Sequence, residues 1–542
     1  MKPINNLAIL CAAVVTAAPT ADDASITIRW SPKQTAGNAT PVNKGYIGFG
    51  IEMKSFPDYA GRDKPNEFSN FLLRQIADRT GGAPLHIRVG GTSMDNTVYN
   101  PAFTADAVNI TGDQEACRLH TDTEIGKPWF RSFKNLAPKL APHYTVQVPL
   151  ARKNVDNGIK FANACIEALT SSDETPDGVK LSARLDAIEI GNEPNFYTND
   201  MRGGCPQEKD RQDGWGPSEY ASEWTKYAKR LAEGVGALKR SGTKDWFQAL
   251  TLSSNVENRA DWGLSAIGNE LNDGGYVKTV SQHYYQGVAT KVLKEELLNH
   301  SITVSRMQDN FGANIESAKN RKIPFILGEV GSAIAPHDDD DDINPNLYDT
   351  LGGALWTLDF LLHGMTLGIA RVSMQLGTNF RMSAWQPVKS EKYPKAVRGN
   401  YYGLIAGAEF IGGNGDLQIR PLAAVEGHPN MVGYAGYHGG KLSKIAVLNL
   451  QVWNDGDRDR PVKKVSLDAL GDDVNKVRVS RLSASMTTAS AGITWAGKGW
   501  VPDGTEFLGG EKPFSINVKD GFLAKGIEVK ASEAVVIEIL RG

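Results

Sequence analysis

Short apolar runs recur along the first three quarters of the chain, each closed by glycine, proline or an acidic residue. They are Tyr46 to Met53, Leu85 to Gly91, Tyr144 to Leu150, Leu185 to Ile190, Phe247 to Ser253, Val277 to Tyr285, Ile323 to Ser332 and Arg371 to Gly377. Runs this short and this continuous read as strands buried on both faces rather than as helices. Between several of them lie stretches with helical spacing: Glu67 to Arg79, Asn154 to Leu169, Ser218 to Leu238 with Ser218 as N-cap, Tyr348 to Leu367 and Arg398 to Phe410. The Trp224, Tyr227 and Leu231 stripe of the third should pack inward. Alternating strands and helices predict an α/β fold, a (β/α)8 TIM barrel over residues 45–412.

Beyond residue 413 the pattern changes to period two. Lys444 to Leu450, Lys476 to Leu482 and Glu533 to Leu540 alternate between turn signals and predict an all-β sandwich over residues 413–542. Ser25 to Trp30 alternates in the same way, so residues 21–44 are expected to add an N-terminal strand to that sandwich. Residues 1–20, with Lys2, the apolar segment Leu7 to Val15 and then small residues, read as a signal peptide. A secreted, extracellular protein is therefore expected, with sequons at Asn38, Asn109 and Asn299 as glycosylation sites.

The 542 residues are 41% hydrophobic and 22% charged with a net charge of −3, which suits a protein with a large core. Nothing in that balance favours nucleic acid or a membrane as partner, and a monomer is expected. Cys11 leaves with the leader, so Cys117, Cys165 and Cys205 remain. Cys165 sits in a helical pattern, whereas Cys117 and Cys205 fall in long loops on one rim and are paired as a disulfide. Their spacing, without histidine partners, argues against zinc, and no metal or cofactor is expected. The run Asp338 to Asp342 reads as a solvated loop, with calcium as the other reading.

Two apolar strands end in carboxylates: Glu193, just past Ile188 to Ile190, and Glu329. Strand ends of a barrel meet at its C-terminal mouth, so both acids face one opening. Glycoside hydrolysis uses such a pair. One acid protonates the leaving oxygen and the other attacks or assists attack, about 5–5.5 Å apart for retention and roughly 6.5–9.5 Å for inversion. Either glutamate alone would more simply be a structural ion pair.

The motifs Gly48-Phe-Gly-Ile-Glu52, Arg88-Val-Gly-Gly-Thr92, Gly191-Asn-Glu-Pro-Asn195, His283-Tyr-Tyr285 and Gly328-Glu329 run through the barrel in order. Together they resemble glycoside hydrolase family 79, retaining enzymes of the β-glucuronidase and heparanase-like type. The resemblance implies Glu193 as acid/base and Glu329 as nucleophile, with Arg88 beside the nucleophile. It also implies sugar contacts from Glu52, Asn192, His283 and Tyr285, the last as hydrogen-bond partner of the nucleophile. Gly90 and Gly91 permit a backbone turn close to bound sugar, with Thr92, Ser93 and Asp95 available to its hydroxyls. The implied substrate is β-linked (4-O-methyl)glucuronic acid in polysaccharides or proteoglycans.

Family members hold the uronate with tyrosines and backbone amides in the loops after strands seven and eight. Here those segments read Gly331-Ser-Ala-Ile-Ala-Pro336 and Gly377-Thr-Asn-Phe-Arg-Met-Ser383, without tyrosine, so Gly331 and Arg381 are the expected carboxylate contacts. Two alternatives remain at this stage. One is an enzyme of the same clan acting on neutral β-glycosides or arabinofuranosides, and the other a non-catalytic carbohydrate-binding barrel.

Overall fold

The computed structural model describes residues 27–111, 121–170, 181–202, 205–206, 209–253, 261–288, 292–334, 344–502 and 504–542. Eight parallel strands close a barrel: β1 (Ile47–Glu52), β2 (His86–Gly90), β3 (His143–Val148), β4 (Leu185–Ile190), β5 (Phe247–Leu252), β6 (Val277–Val288), β7 (Phe325–Ile334) and β8 (Arg371–Leu376). Around it lie α1 (Glu67–Arg79), α2 (Val155–Thr170), α3 (Pro217–Gly234), α4 (Leu264–Leu271), α5 (His300–Arg321), α6 (Leu351–Leu367) and α7 (Gly399–Ile411). Among the described residues of the β2 to β3 crossover there is no long helix. Three short strands, Thr97–Tyr99, Val108–Ile110 and Thr123–Ile125, form a small sheet there instead.

Two expectations change. Ser218 does not cap α3: Gly216 precedes the helix, Pro217 takes the first position, and the Glu219 carboxylate accepts from the Gly216 N–H at 3.0 Å. Proline fits there because its missing N–H is one the helix would leave unpaired anyway. Strand β7 runs on to Ile334, past the expected end at Ser332 and into the segment expected as the following loop, with Tyr285 opposite Gly331 and Gly287 opposite Ala333 on β6. The Trp224, Tyr227 and Leu231 stripe is buried as its spacing required.

Helices α6 and α7 are apolar on every side because they are covered twice, by the barrel and by the sandwich. The sandwich's large sheet alternates accordingly. Val432, Tyr434, Ala446, Leu448, Ala534 and Val536 join the barrel core, while Ala435, Ile445, Val447, Val535 and Ile537 form the sandwich's own core. The opposite layer is a small sheet in which Thr27–Trp30 pairs in parallel with Val462–Leu467, and that strand with Ile527–Lys530. Where the two domains meet, buried Asp359 of α6 receives His300 Nδ1 at 2.9 Å and donation from the Tyr434 hydroxyl at 2.8 Å.

The leader, Cys117, the Cys205 side chain and the run Asp338 to Asp342 lie outside the described residues. Cys165 is a buried free thiol on α2.

Candidate active site

Glu329 lies on β7 directly opposite His283, where the ladder between β6 and β7 shifts register at Gln282/His283. Such irregularities re-aim side chains at the rim of a barrel. The Tyr285 hydroxyl donates to Glu329 Oε1 at 2.5 Å, and Arg88 Nη1 donates to Glu329 Oε2 at 2.6 Å. Burial and the neighbouring Glu329 charge push the Tyr285 phenol well up, so it remains a donor. Gly331 makes room for it, since a Cβ there would fall 2.6 Å from the tyrosine ring.

Glu193 follows the end of β4 on a sharp turn. Gly191 has φ +80° and Glu193 itself φ +49°, a left-handed conformation uncommon for a side-chain-bearing residue. Its N–H donates to Thr251 O at 3.0 Å, which ties the turn to β5. Its Oε1 stands 3.1 Å from His283 Nδ1, and the same nitrogen is 3.9 Å from Glu329 Oε2. One oxygen of Glu193, one of Glu329 and a His283 nitrogen all lie within 4.8 Å of one another. With a guanidinium 2.6 Å from Glu329, the trio is a poor cation site. It is instead a close, unequal pair of acids, one held by a cation and a phenol and the other by an imidazole.

Several expected contacts move. Ser93 is fully buried and spends both its N–H and its hydroxyl on Glu52 Oε1, so it supports Glu52 instead of reaching sugar. His283 is 1% exposed and bridges the two acids rather than lining the opening. Glu52 is itself buried, and its carboxyl is pushed up to about 7, first by burial and then by the charge of Glu329. Gly91, at φ +96°, is required beside it: a Cβ would fall 2.1 Å from Glu52 Oε2.

Asn192 accepts from Arg88 Nη2 at 2.7 Å, and its N–H donates to Asp95 Oδ2 at 3.2 Å. Asp95, also met by the Tyr197 hydroxyl at 2.7 Å, is fully buried and holds the turn that carries Glu193. Sequence reasoning assigned it to sugar hydroxyls and did not foresee that role. Also unforeseen are Glu189, Gln147 and Gln248, which complete the interior beneath the two acids. The signal was present, because each is a polar residue inside an apolar strand, and such a residue must find partners.

Arg381 lies over the rings of Tyr348 and Tyr393, at 5.6 and 6.0 Å. These tyrosines come from the connections after β7 and β8, farther along the chain than Gly331 to Pro336 and Gly377 to Ser383. Met382 is beside Gly331, so this cluster adjoins the end of β7.

The chain is similar to known glycosidases in sequence and in fold. A sequence model of the Glycosyl hydrolase family 79 C-terminal beta domain matches residues 433–536. A "Beta-glucuronidase" of Aspergillus niger is 30% identical over 525 residues, 91% of each chain, and one of Neurospora crassa is 28% identical over 509 residues, 86% of each. Among solved structures, a 4-O-α-L-rhamnosyl-β-D-glucuronidase from Fusarium oxysporum superposes with a TM-score of 0.75 at 20% identity, covering 94% of this chain and 100% of that one. An arabinofuranosidase superposes at 0.60 with 14% identity, covering 95% and 100%, which reflects the shared fold. By this likeness along nine-tenths of its length, the chain belongs to glycoside hydrolase family 79.

Proposed function

We propose that the protein is a retaining β-glucuronidase that releases β-linked (4-O-methyl)glucuronic acid from polysaccharides or proteoglycans by double displacement. The observation that carries this reading is the close approach of the Glu193 and Glu329 oxygens, within 4.8 Å, on the short side of what retention needs. Glu329, oriented by Arg88 and Tyr285, attacks the anomeric carbon while Glu193 protonates the departing glycosidic oxygen. Glu193 then takes the proton of the water that hydrolyses the glycosyl ester on Glu329. Asn192 and Glu52 stand beside this pair as contacts for sugar hydroxyls, and Tyr285 fixes one rotamer of the nucleophile.

The relatives named for glucuronidase activity support the uronate preference, and Arg381, with the amide of Gly331, is assigned to the carboxylate. A guanidinium suits that task because its planar fork meets both oxygens and stays charged. The protein is further read as a secreted monomer, glycosylated at the exposed Asn38 and at Asn109 and Asn299. No helix among the described residues is long and apolar enough to cross a membrane. The test is kcat/KM for nitrophenyl β-glucuronide, β-glucoside and β-xyloside with wild type and Arg381→Met. The glucuronide should lead by orders of magnitude, and the variant should lose much of that lead. A wild type that favours either neutral sugar contradicts the reading.

A further inference from the structure

Beneath the two acids lies a third carboxylate that the reaction does not touch. Glu189 points into the barrel from β4 with no solvent exposure. Its Oε1 accepts from Arg88 Nε at 2.9 Å and from Arg88 Nη2 at 2.7 Å, while Arg88 Nη1 goes to Glu329 at 2.6 Å. One guanidinium thus bridges two carboxylates. The far oxygen of Glu189 accepts from Gln248 Nε2 at 2.5 Å, and the Thr279 hydroxyl donates to Gln248 Oε1 at 3.0 Å, which fixes the orientation of that amide.

We propose that Glu189 is a positioning residue for the reaction: it holds one edge of Arg88 and draws off part of its charge, so that Glu329 is oriented without losing nucleophilicity. This rests on the reading of Glu329 as nucleophile. A cation paired with Glu329 alone would stabilise its carboxylate and make it a weaker attacking group. Sharing the cation with a second buried anion weakens that pull while keeping the geometry. Arg88 and Glu189 are both buried, where screening is weak, so the two carboxylates feel each other through Arg88. A simple structural ion pair would need only Arg88 and Glu189, and would not need Arg88 to reach across to the second acid.

The test is Glu189→Gln, which keeps the shape and removes the charge. Arg88 then falls wholly to Glu329. The acidic limb of the kcat/KM profile should move to lower pH by about one unit, with kcat/KM at the optimum falling about tenfold. With a dinitrophenyl glucuronide, whose turnover waits on hydrolysis of the glycosyl-enzyme, kcat should hold or rise, because a less basic carboxylate leaves more readily. An unmoved limb, with kcat and kcat/KM falling together, is the mark of a structural role and overturns the proposal.

Gln248→Leu gives a second measurement should the first variant fail to fold. It keeps the Glu189 charge but removes the donor on its far side, so the limb should move the opposite way, and an unmoved limb there also overturns the proposal. Labelling by a 2-fluoro glucuronosyl fluoride separates the two levels. If wild type is not labelled at Glu329, the nucleophile assignment fails and the proposal with it. If wild type is labelled and the limb stays, only the proposal for Glu189 is overturned.

Discussion

Tyr285 of β6 and Glu329 of β7, two positions apart in the register of neighbouring barrel strands, meet through one hydrogen bond of 2.5 Å, phenol to carboxylate Oε1. Burial, and then the Glu329 charge, push the phenol well above its usual range, so near neutral pH it is protonated and donates. Tyr285→Phe removes a donor to a charged group, which is worth roughly 1.5–3 kcal/mol, so kcat/KM should fall about 10- to 150-fold with the melting temperature nearly unchanged. Paired kinetics and melting curves check this, and equal losses in both would mean that the hydroxyl serves stability.

Glu52 supplies a pH dependence whose sign is fixed. Its carboxyl rises from 4.5 to about 7 in the fold, burial being the larger cause and the Glu329 charge the next. The folded state therefore binds the proton more tightly than the unfolded chain. This stabilisation is full below 4.5 and is lost as pH rises through about 7, a change of roughly 3 kcal/mol. Melting temperature measured across that window should fall with rising pH in wild type and change less in Glu52→Gln. Identical slopes would show that another group carries the dependence.

The domain interface makes a separate prediction. Asp359 joins His300 of α5 and Tyr434 of the sandwich, and it raises the imidazole's proton affinity despite the opposing effect of burial. His300 therefore adds stability below its ordinary range near 6.5, and that stability is lost as pH rises through its raised value. Asp359→Asn should cost roughly 3 kcal/mol or more at acidic pH and less at alkaline pH, since the charged imidazole loses its partner. Denaturant unfolding at both ends of the range checks it. A loss equal at both would leave only the hydrogen bonds to account for it.

The elements legible in the sequence are those whose signal is local. Leu185 to Ile190 and Phe325 to Leu327 are short, largely apolar stretches bounded by glycine, as buried strands are, and a carboxylate at the end of each had to be exposed or used. The strand Thr27–Trp30 was equally readable, because its alternate residues are buried and exposed in turn. Less legible were features that depend on distant chain segments. Tyr348 meets Arg381 from the connection after β7 and Tyr393 from farther along the connection after β8, and no spacing rule carries that information. The burial of Ser93 beneath Glu52 follows from the turn at Gly91, whose φ of +96° sequence alone does not fix. Glu189 is hard to read for another reason. It lies inside the strand that leads to Glu193, and its partners Arg88 and Gln248 come from two other strands that only barrel closure brings together.

The central claim is that Glu329 forms a glycosyl ester with a β-linked glucuronic acid residue and Glu193 serves it as acid and then base. Proton NMR of nitrophenyl β-glucuronide hydrolysis, recorded before the product anomers equilibrate, tests this most directly. The account predicts that β-glucuronic acid appears first and that the α anomer grows in only by mutarotation. If the α anomer is formed first, the double-displacement assignment of Glu193 and Glu329 is contradicted.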